Sequence, residues 1–175
     1  GCSQKFGESF FETNVASLSM TTVRIMFALA ASVGQHLHLM DISGAYLYSQ
    51  MDTDLLYALP PPGYRTKREV NGKMVDVYWH IRGSMYGARQ AGRQWYRHLT
   101  DSLYQLGFTR FAHDACTFYR VQRGKPLFVC IYVDDLVCLP TAPGQVEELE
   151  EQLSQQYNLT HEAKMDKFLG MLVSQ

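Results

Sequence analysis

The pair Asp134-Asp135 lies between two apolar runs, residues 127–133 and 136–139. Both runs have the length and composition of buried β-strands, so the sequence predicts two strands that meet at the acidic pair. Tight turns between strands favour glycine because they need positive φ, and this turn has no glycine. Adjacent carboxylates between buried strands also repel each other and lose hydration. A bound divalent cation would offset these electrostatic costs, so the pattern indicates a metal-dependent site at the tip of a hairpin.

The chain of 175 residues is long enough for one domain with a sizeable core. Its longest uncharged apolar stretch, Ile25 to Val33, is too short to span a bilayer, and the chain start has no secretory-signal pattern. We therefore expect no membrane association and no export. The cysteines show no C-x-x-C spacing and are expected to be reduced core residues of an intracellular protein, without a zinc site. They are Cys2, Cys116, Cys130 and Cys138.

The net charge is −1, but the charges are unevenly distributed. Residues 61–100 contain eight basic side chains and two acidic ones, interleaved with tyrosine and tryptophan, whereas residues 143–166 are acidic. A basic segment with aromatic residues suits a polyphosphate or nucleic-acid partner. A solvated helix and hairpin face is the alternative interpretation.

Periodicity predicts three helices and a set of strands, and hence an α+β domain with an antiparallel sheet packed on helices. The helices are Met20 to Val33, capped by Ser19 and ended by Gly34, with Val23, Phe27, Ala30 and Ala31 on one face; Arg89 to Leu106, ended by Gly107; and an acidic surface helix from Pro143 to Tyr157. The strands are 36–40, 55–59, 74–81 after an Asn71-Gly72 turn, 117–121, 127–139 with its acidic tip, and 167–173.

Asp41 follows the alternating run 36–40 and would stand at the end of that strand. Folding of the sheet would bring it beside Asp134 although 134 − 41 = 93 positions separate them. Three carboxylates from two strand ends can hold a pair of Mg²⁺ ions, and such a pair stabilises the attacking and leaving oxygens of a phosphoryl displacement. An isolated Asp-Asp pair is also common in ordinary turns.

Five segments, taken in order, carry more specific motifs. They are Leu-Met-Asp-Ile-Ser-Gly-Ala-Tyr-Leu at 39–47, Tyr57 with Pro-Pro-Pro-Gly-Tyr at 60–64, Ser-Met-Tyr-Gly-Ala-Arg-Gln-Ala-Gly-Arg-Gln-Trp-Tyr at 84–96, Tyr-Val-Asp-Asp at 132–135 and Phe-Leu-Gly at 168–170. Over essentially the whole chain they resemble the reverse transcriptases of copia-type LTR retrotransposons, in Pseudoviridae-like Pol polyproteins. Gypsy-type and retroviral enzymes share the aspartates but not the signature at 84–96, in which Gly92 replaces the usual proline.

The resemblance implies a polymerase palm with a partial fingers subdomain, residues 1–175 forming a fragment of the reverse transcriptase domain. The upstream fingers, the thumb and RNase H would lie outside it, so we expect the fragment alone to be weak or inactive. Asp41 and Asp134 would share two Mg²⁺ ions, with Mn²⁺ as an alternative; Asp135 would assist, and the Ile42 carbonyl would complete one shell. The implied reaction is transfer of a nucleotide from a dNTP to a primer 3′-hydroxyl.

The resemblance also assigns substrate contacts. Tyr46 would lie under the incoming sugar and exclude a 2′-hydroxyl, although core packing of this tyrosine is equally compatible with its spacing. The dNTP and template pocket would be lined by Tyr86, Gly87, Arg89 and Gln90, and the primer would contact Leu169 and Gly170. Lys164 or Lys167 would protonate the leaving pyrophosphate, and the sequence does not choose between them.

Some residues have simpler interpretations. Trp95 and Tyr96 belong to the signature but fit the packing of a helix. His36 and His38 share one strand face, and a solvated or hydrogen-bonded pair is favoured over a metal site because no third ligand has matching spacing.

The implied partners are an RNA or DNA template with its primer, dNTP, and the rest of the Pol polyprotein with integrase and RNase H, within an intracellular, cytoplasmic virus-like particle. Two alternatives stay open. One is a degenerate or domesticated relative that binds nucleic acid or protein without polymerising. The other is a different palm-like phosphotransferase such as a nucleotide cyclase, which would not need the signature at 84–96.

Overall fold

The protein is described by a computed structural model that covers residues 4–8, 10–52 and 56–174. It has a mixed α/β fold with antiparallel sheets, as the sequence predicts. The chain forms two compact units: residues 15–45 and 96–175 make the larger one, and residues 1–14 and 46–95 the smaller one.

A six-stranded antiparallel sheet forms the centre of the larger unit. Its strands, in their order across the sheet, are β10 Leu159–Glu162, β1 His38–Ile42, β9 Asp135–Leu139, β8 Lys125–Tyr132, β7 Thr117–Gln122 and β6 Thr109–Arg110. Its central strands β8 and β9 have runs of consecutive buried residues at 129–131 and 136–139, so both faces of the sheet are covered.

Helix α1, Met20–Val33, has the predicted bounds. The Ser19 hydroxyl accepts a hydrogen bond from the Thr21 N–H, and Gly34 ends the helix with a φ of 65°. The predicted apolar face is partly wrong, because Ala31 is exposed and Phe27 only half-buried. The buried stripe is Val23, Met26 and Ala30, which follows the i, i+3, i+7 spacing of a narrower face.

Helix α2, Ala91–Gln105, begins two residues later than predicted and buries Trp95, Leu99 and Leu103 at intervals of four. Gly107 ends it with a φ of 82°. Helix α3, Gln145–Ser154, is shorter than the predicted 143–157. Gly144 has a φ of 81°, which no helix accommodates, so the helix begins after it.

In the smaller unit the short strands β2 Tyr57–Ala58 and β5 Trp79–His80 pair with each other, and β3 Lys67–Val70 pairs with β4 Lys73–Asp76. A 3₁₀ turn, Ala45–Tyr48, leads into this unit. Asn71 and Gly72 form the predicted turn with φ of 50° and 76°, as a type I′ hairpin requires. The predicted strand 74–81 is wrong as one strand, because its two halves pair with different partners. Of the predicted strand 55–59, Leu55 lies outside the described residues.

Two further differences concern the ends of the larger unit. The strand predicted at 36–40 runs from His38 to Ile42, so Asp41 lies within β1. The single strand predicted at 167–173 is a hairpin of β11 Lys167–Phe168 and β12 Met171–Leu172. Leu169 and Gly170 form its turn with φ of 48° and 79°.

Candidate active site

The turn between β8 and β9 is one residue earlier than the acidic pair suggests. Tyr132 pairs with Asp135, so Val133 and Asp134 are the two turn residues, and Asp135 begins β9. Val133 has a φ of 57°. A β-branched residue in the left-handed region is an outlier that costs about 1 to 3 kcal/mol. In this turn a strained valine therefore adopts the positive φ that a glycine usually provides.

Asp41 joins this turn through strand pairing. In the β1–β9 register Asp41 lies directly opposite Asp135, and the Ile42 N–H donates to the Asp134 carbonyl at 3.0 Å. Directly opposed residues place their side chains on the same face of the sheet, with Cβ atoms roughly 5 Å apart. The sheet therefore brings the predicted aspartates together from distant parts of the chain, and each is half-buried.

The neighbouring carboxylates disturb Asp135 electrostatically. The pKa of Asp135 is raised to about 6, first by burial and then by the negative charges of Asp134, Asp41 and Glu162. A site that disfavours the charged form of one of its carboxylates, here Asp135, is one where a cation would be stabilising. Glu162 is the contributor that the sequence reasoning missed, since it lies on β10, a strand without an apolar run.

The donor chemistry fits a hard divalent cation, which takes carboxylate and carbonyl oxygens. Within residues 4–8, 10–52 and 56–174 no three His, Cys, Asp or Glu side chains are already arranged as a metal-binding group. The backbone thus brings the donors to neighbouring positions without fixing a coordination geometry. The metal-ligand assignments of Asp41, Ile42, Asp134 and Asp135 stay predictions.

In the smaller unit the structure brings together two of the predicted substrate residues. The rings of Tyr46 and Tyr86 lie 4.5 Å apart between centroids, at an angle of 56°. A Cβ at Gly92 would lie 3.9 Å from the Tyr46 hydroxyl oxygen, so the position that usually holds proline is close to this ring pair. Gly87 has a φ of 91°, a backbone conformation that favours glycine. Tyr86 and Gly87 line an open pocket of about 330 Å³.

Arg89 and Gln90 contact the N-terminal segment of the same unit. The Arg89 guanidinium lies 5.4 Å from the centroid of the Phe10 ring, and its backbone N–H donates to the Gln4 side-chain oxygen at 2.9 Å. Gln90 is fully buried and accepts a hydrogen bond from the Gln4 amide at 2.9 Å. The buried Gln90 amide thus links the loop that carries Tyr86 to the N-terminal segment. Its predicted contact with substrate stays untested.

The predicted primer contacts lie on the β11–β12 turn of the larger unit. Phe168, which precedes them, is buried, and its ring meets that of Tyr132 edge to face with centroids 6.0 Å apart. Tyr132 is the last residue of β8 before the acidic turn. The contact between its ring and that of Phe168 therefore packs the β11–β12 hairpin against the strand that leads to the aspartates. Lys164 and Lys167 are both exposed, and the structure does not choose between them.

Of the histidine pair predicted on one strand face, His36 and His38, the second contacts a third histidine, His161. His38 Nδ1 lies 3.0 Å from His161 Nε2, and His161 Nδ1 lies 2.6 Å from a Glu150 carboxylate oxygen. Burial, and then His161, lower the pKa of His38. The favoured hydrogen-bonded interpretation thus applies to His38, with a partner on the unpredicted strand β10.

The packing predictions for Trp95 and the cysteines are confirmed where they are described. Trp95 is 1% exposed. Three of the four cysteines, Cys116, Cys130 and Cys138, are free and buried, whereas Cys2 lies outside the described residues. Burial raises the pKa of Cys116 to about 11 and that of Cys130 to about 12, which keeps both thiols protonated and unreactive. Tyr96 donates its hydroxyl to the Ala115 carbonyl at 2.6 Å.

Membrane insertion has no candidate helix in the described part of the chain, where each helix is too short or too polar to cross a bilayer.

The fold and the site together define a mixed α/β domain whose central hairpin presents an acidic pair beside a third aspartate. A sequence model of the family described as reverse transcriptase (RNA-dependent DNA polymerase) matches residues 1–175. The chain belongs to this family, and its similarity is to Pol polyproteins of copia-type transposons.

Three relatives illustrate this similarity. The putative transposon Ty5-1 protein of Saccharomyces cerevisiae is 32% identical over 136 residues, which are 78% of this chain and 42% of that protein. The retrovirus-related Pol polyprotein from transposon RE1 of Arabidopsis thaliana is 28% identical over 98% of this chain and 11% of its own length. The corresponding polyprotein from transposon TNT 1-94 of Nicotiana tabacum is 27% identical over 99% of this chain and 13% of its own length. The chain thus spans less than half the length of each.

Proposed function

We propose that this chain is the polymerase core of an RNA-directed DNA polymerase that transfers a nucleotide from a dNTP to a primer 3′-hydroxyl. One observation carries the proposal: Asp41 lies opposite Asp135, and the Ile42 N–H binds the Asp134 carbonyl. Asp41, Asp134 and Asp135 thereby occupy one end of a hairpin and its neighbouring strand. The family match across the chain supports the same assignment.

The larger unit would serve as the palm, because it contains the six-stranded sheet and the three aspartates. The smaller unit would supply part of the fingers, with Tyr46, Tyr86, Gly87 and Arg89 toward the dNTP and template. The ring of Tyr46 would exclude a 2′-hydroxyl, and its contact with Tyr86 would hold that ring in place.

Within the palm, Asp41 and Asp134 would hold two Mg²⁺ ions, with the Ile42 carbonyl as a further ligand and Asp135 as an assisting carboxylate. When bound, such ions supply positive charge that lowers the pKa of the primer hydroxyl and neutralises the leaving pyrophosphate. The chain's own contribution is to hold the carboxylates in place. The strained Val133 turn and the β1–β9 pairing fix the backbone of all three, so little reorganisation is needed during reaction.

The relatives named above include Pol polyproteins several times longer than this chain. We propose that the chain likewise acts as part of a longer Pol polyprotein, with integrase and RNase H, on an RNA or DNA template with a primer.

The test is primer extension on an RNA template by the Pol protein that contains this chain, with Mg²⁺ present. Asp134→Asn should lower the incorporation rate by at least roughly 100-fold, the usual cost of losing one preorganised electrostatic group. Glu162→Gln is the matched control, since it removes a nearby carboxylate that the mechanism does not use, and it should keep most of the rate. Extension that survives Asp134→Asn would overturn the proposal. Template binding without any extension by the unsubstituted protein would favour the binding-module alternative.

A further inference from the structure

The side-chain amide of Gln4 makes hydrogen bonds to two consecutive residues of the signature at 84–96. Its Oε1 accepts the Arg89 backbone N–H at 2.9 Å, and its Nε2 donates to Gln90 Oε1 at 2.9 Å. A backbone N–H can only donate, so the first bond fixes which end of the Gln4 amide is oxygen. The second bond then fixes the orientation of the Gln90 amide. One side chain of the N-terminal segment thus determines the arrangement of both residues.

Gln90 makes the second of these bonds costly to lose. Its side chain is fully buried, so no water is at hand to replace the Gln4 amide. The backbone carbonyl of Gln90 also accepts the Gln94 N–H at 3.0 Å, which is the first hydrogen bond of α2. Gln4 therefore acts at the point where the loop 85–90 enters that helix.

The loop 85–90 transmits the position of one half to the other. It leads into α2 through two four-residue turns that share Ala88, each closed by a backbone hydrogen bond, at 3.1 and 3.3 Å. Tyr86 and Gly87 occupy the middle of the first turn, and the two residues that Gln4 binds occupy the middle of the second. Because the turns share a residue, a shift of the second turn also moves the first.

The first turn forms part of the open pocket of about 330 Å³, and Gln4 lines the same pocket. The Tyr86 side chain is more than half exposed, so the place of its ring depends mainly on its backbone. The conformation of the loop therefore decides how Tyr86 and Gly87 face a ligand in this pocket.

The N-terminal segment has further contacts that make it a fixed support for Gln4. Phe10 is buried, and the Arg89 guanidinium lies over its ring. Glu12 forms an ion pair with Arg93 in the first turn of α2. The segment is thus attached to the signature at three places, and Gln4 supplies the contact that reaches the backbone of the loop.

We propose that Gln4 is a positioning residue for the incoming nucleotide, because its amide holds the loop 85–90 in the conformation that presents Tyr86 and Gly87 to the dNTP. This inference rests on the proposed function, since it assigns the pocket to the dNTP. A loop that samples other conformations binds its ligand more weakly, in proportion to the fraction of molecules in the competent one. Loss of the Gln4 amide should therefore raise the KM for dNTP and change the maximal rate little, because the three aspartates belong to the other unit.

Single-nucleotide incorporation by the Pol protein that contains this chain measures both quantities as the dNTP concentration is varied. Gln4→Met keeps the length of the side chain and removes both hydrogen bonds. It should raise the KM roughly 5- to 30-fold, as expected if the competent conformation falls to roughly 3–20% of the molecules, and keep the maximal rate within about threefold. Gln4→Glu keeps the acceptor for the Arg89 N–H and loses the donor to Gln90, so its KM should lie between those of Gln4→Met and the unsubstituted protein.

Glu8→Met is the matched control on the same segment. Glu8 is exposed, and its carboxylate lies 3.9 Å from Lys5 Nζ. The substitution introduces the same methionine at a surface position, so the KM should stay within roughly twofold of the value for the unsubstituted protein.

Amide hydrogen exchange tests the hydrogen bond itself and needs no catalysis. In the unsubstituted protein the Arg89 N–H is bonded to Gln4 Oε1 and should be protected. Gln4→Met should speed its exchange roughly 3- to 10-fold, the range that corresponds to one hydrogen bond, whereas Gln4→Glu should keep most of the protection.

An unchanged KM for Gln4→Met would overturn the proposal, and so would an equal rise for Glu8→Met. A fall in the maximal rate at an unchanged KM would also overturn it, by showing that Gln4 only stabilises the fold. If the unsubstituted protein extends no primer, it is the proposed function that fails. The exchange of the Arg89 N–H then decides by itself whether Gln4 holds the loop.

Discussion

Replacing Val133 by glycine and by alanine separates backbone strain at the acidic turn from loss of the side chain. Val133 has a φ of 57°. Its side chain is 44% exposed, so both substitutions remove only a small amount of buried apolar surface. A non-glycine residue in the left-handed region costs about 1 to 2 kcal/mol. Glycine avoids this cost but loses about 0.5 to 1 kcal/mol through the greater freedom of the unfolded chain. The free energy of unfolding of Val133→Gly should therefore exceed that of Val133→Ala by about 0.5 to 1 kcal/mol.

Urea unfolding of both variants measures this difference, and Val121 is the matched control. Val121 is 56% exposed in the extended strand β7, where ordinary preferences apply. There the order should reverse, with Val121→Ala more stable than Val121→Gly by about 0.5 to 1 kcal/mol. If alanine is at least as stable as glycine at position 133 as well, Val133 is not strained and our account of the glycine-free turn is wrong.

Three further predictions concern titratable groups. Asp135→Asn should raise the free energy of unfolding at pH 7.5 in metal-free buffer by about 1 kcal/mol, because it removes a charge that the fold disfavours. This gain is well below the energy that a pKa near 6 would give in full, since the group is half exposed and screened by water. A lower free energy of unfolding, measured by urea denaturation, would contradict the repulsion at Asp135. Because the pKa of His38 is lowered in the fold, its protonation favours the unfolded chain, so stability should fall as the pH drops below 6.5. His38→Gln should weaken this fall. A pH profile of stability identical to that of the unsubstituted protein would count against the His38–His161 contact. The thiols of Cys116 and Cys130 should react with a disulfide reagent at pH 8 only after unfolding, and rapid labelling of either in the folded protein would show that it is not buried.

The sequence was sufficient where a local rule decides the structure. Ser19 and Gly34 define α1 because capping and left-handed termination are local, and Asn71-Gly72 defines its hairpin for the same reason. The meeting of Asp41 with Asp134 and Asp135 was also predictable, because each lies at the end of an apolar strand pattern.

The remainder depends on tertiary pairing that leaves no periodic signal. Strand β10, Leu159–Glu162, has three polar residues out of four and two exposed ones, so His161 and Glu162 were missed. His161 nevertheless contacts His38 of β1, and the charge of Glu162 acts on Asp135 of β9. No propensity rule places a valine at positive φ, yet Val133 adopts it because the pairing on both sides of the turn requires it. The split of 74–81 into two strands likewise reflects different partners.

The central claim is that Asp41 and Asp134 act as one unit on the same ions. Single-turnover incorporation of one dNTP by Asp41→Asn, Asp134→Asn and the double variant tests it as a double-mutant cycle. Each single variant should lose at least roughly 100-fold in rate, and the double variant should lose little more than the worse single one, because residues that share a function are not additive. Losses that multiply, toward roughly 10,000-fold, would mean that the two aspartates act independently and would contradict a shared site.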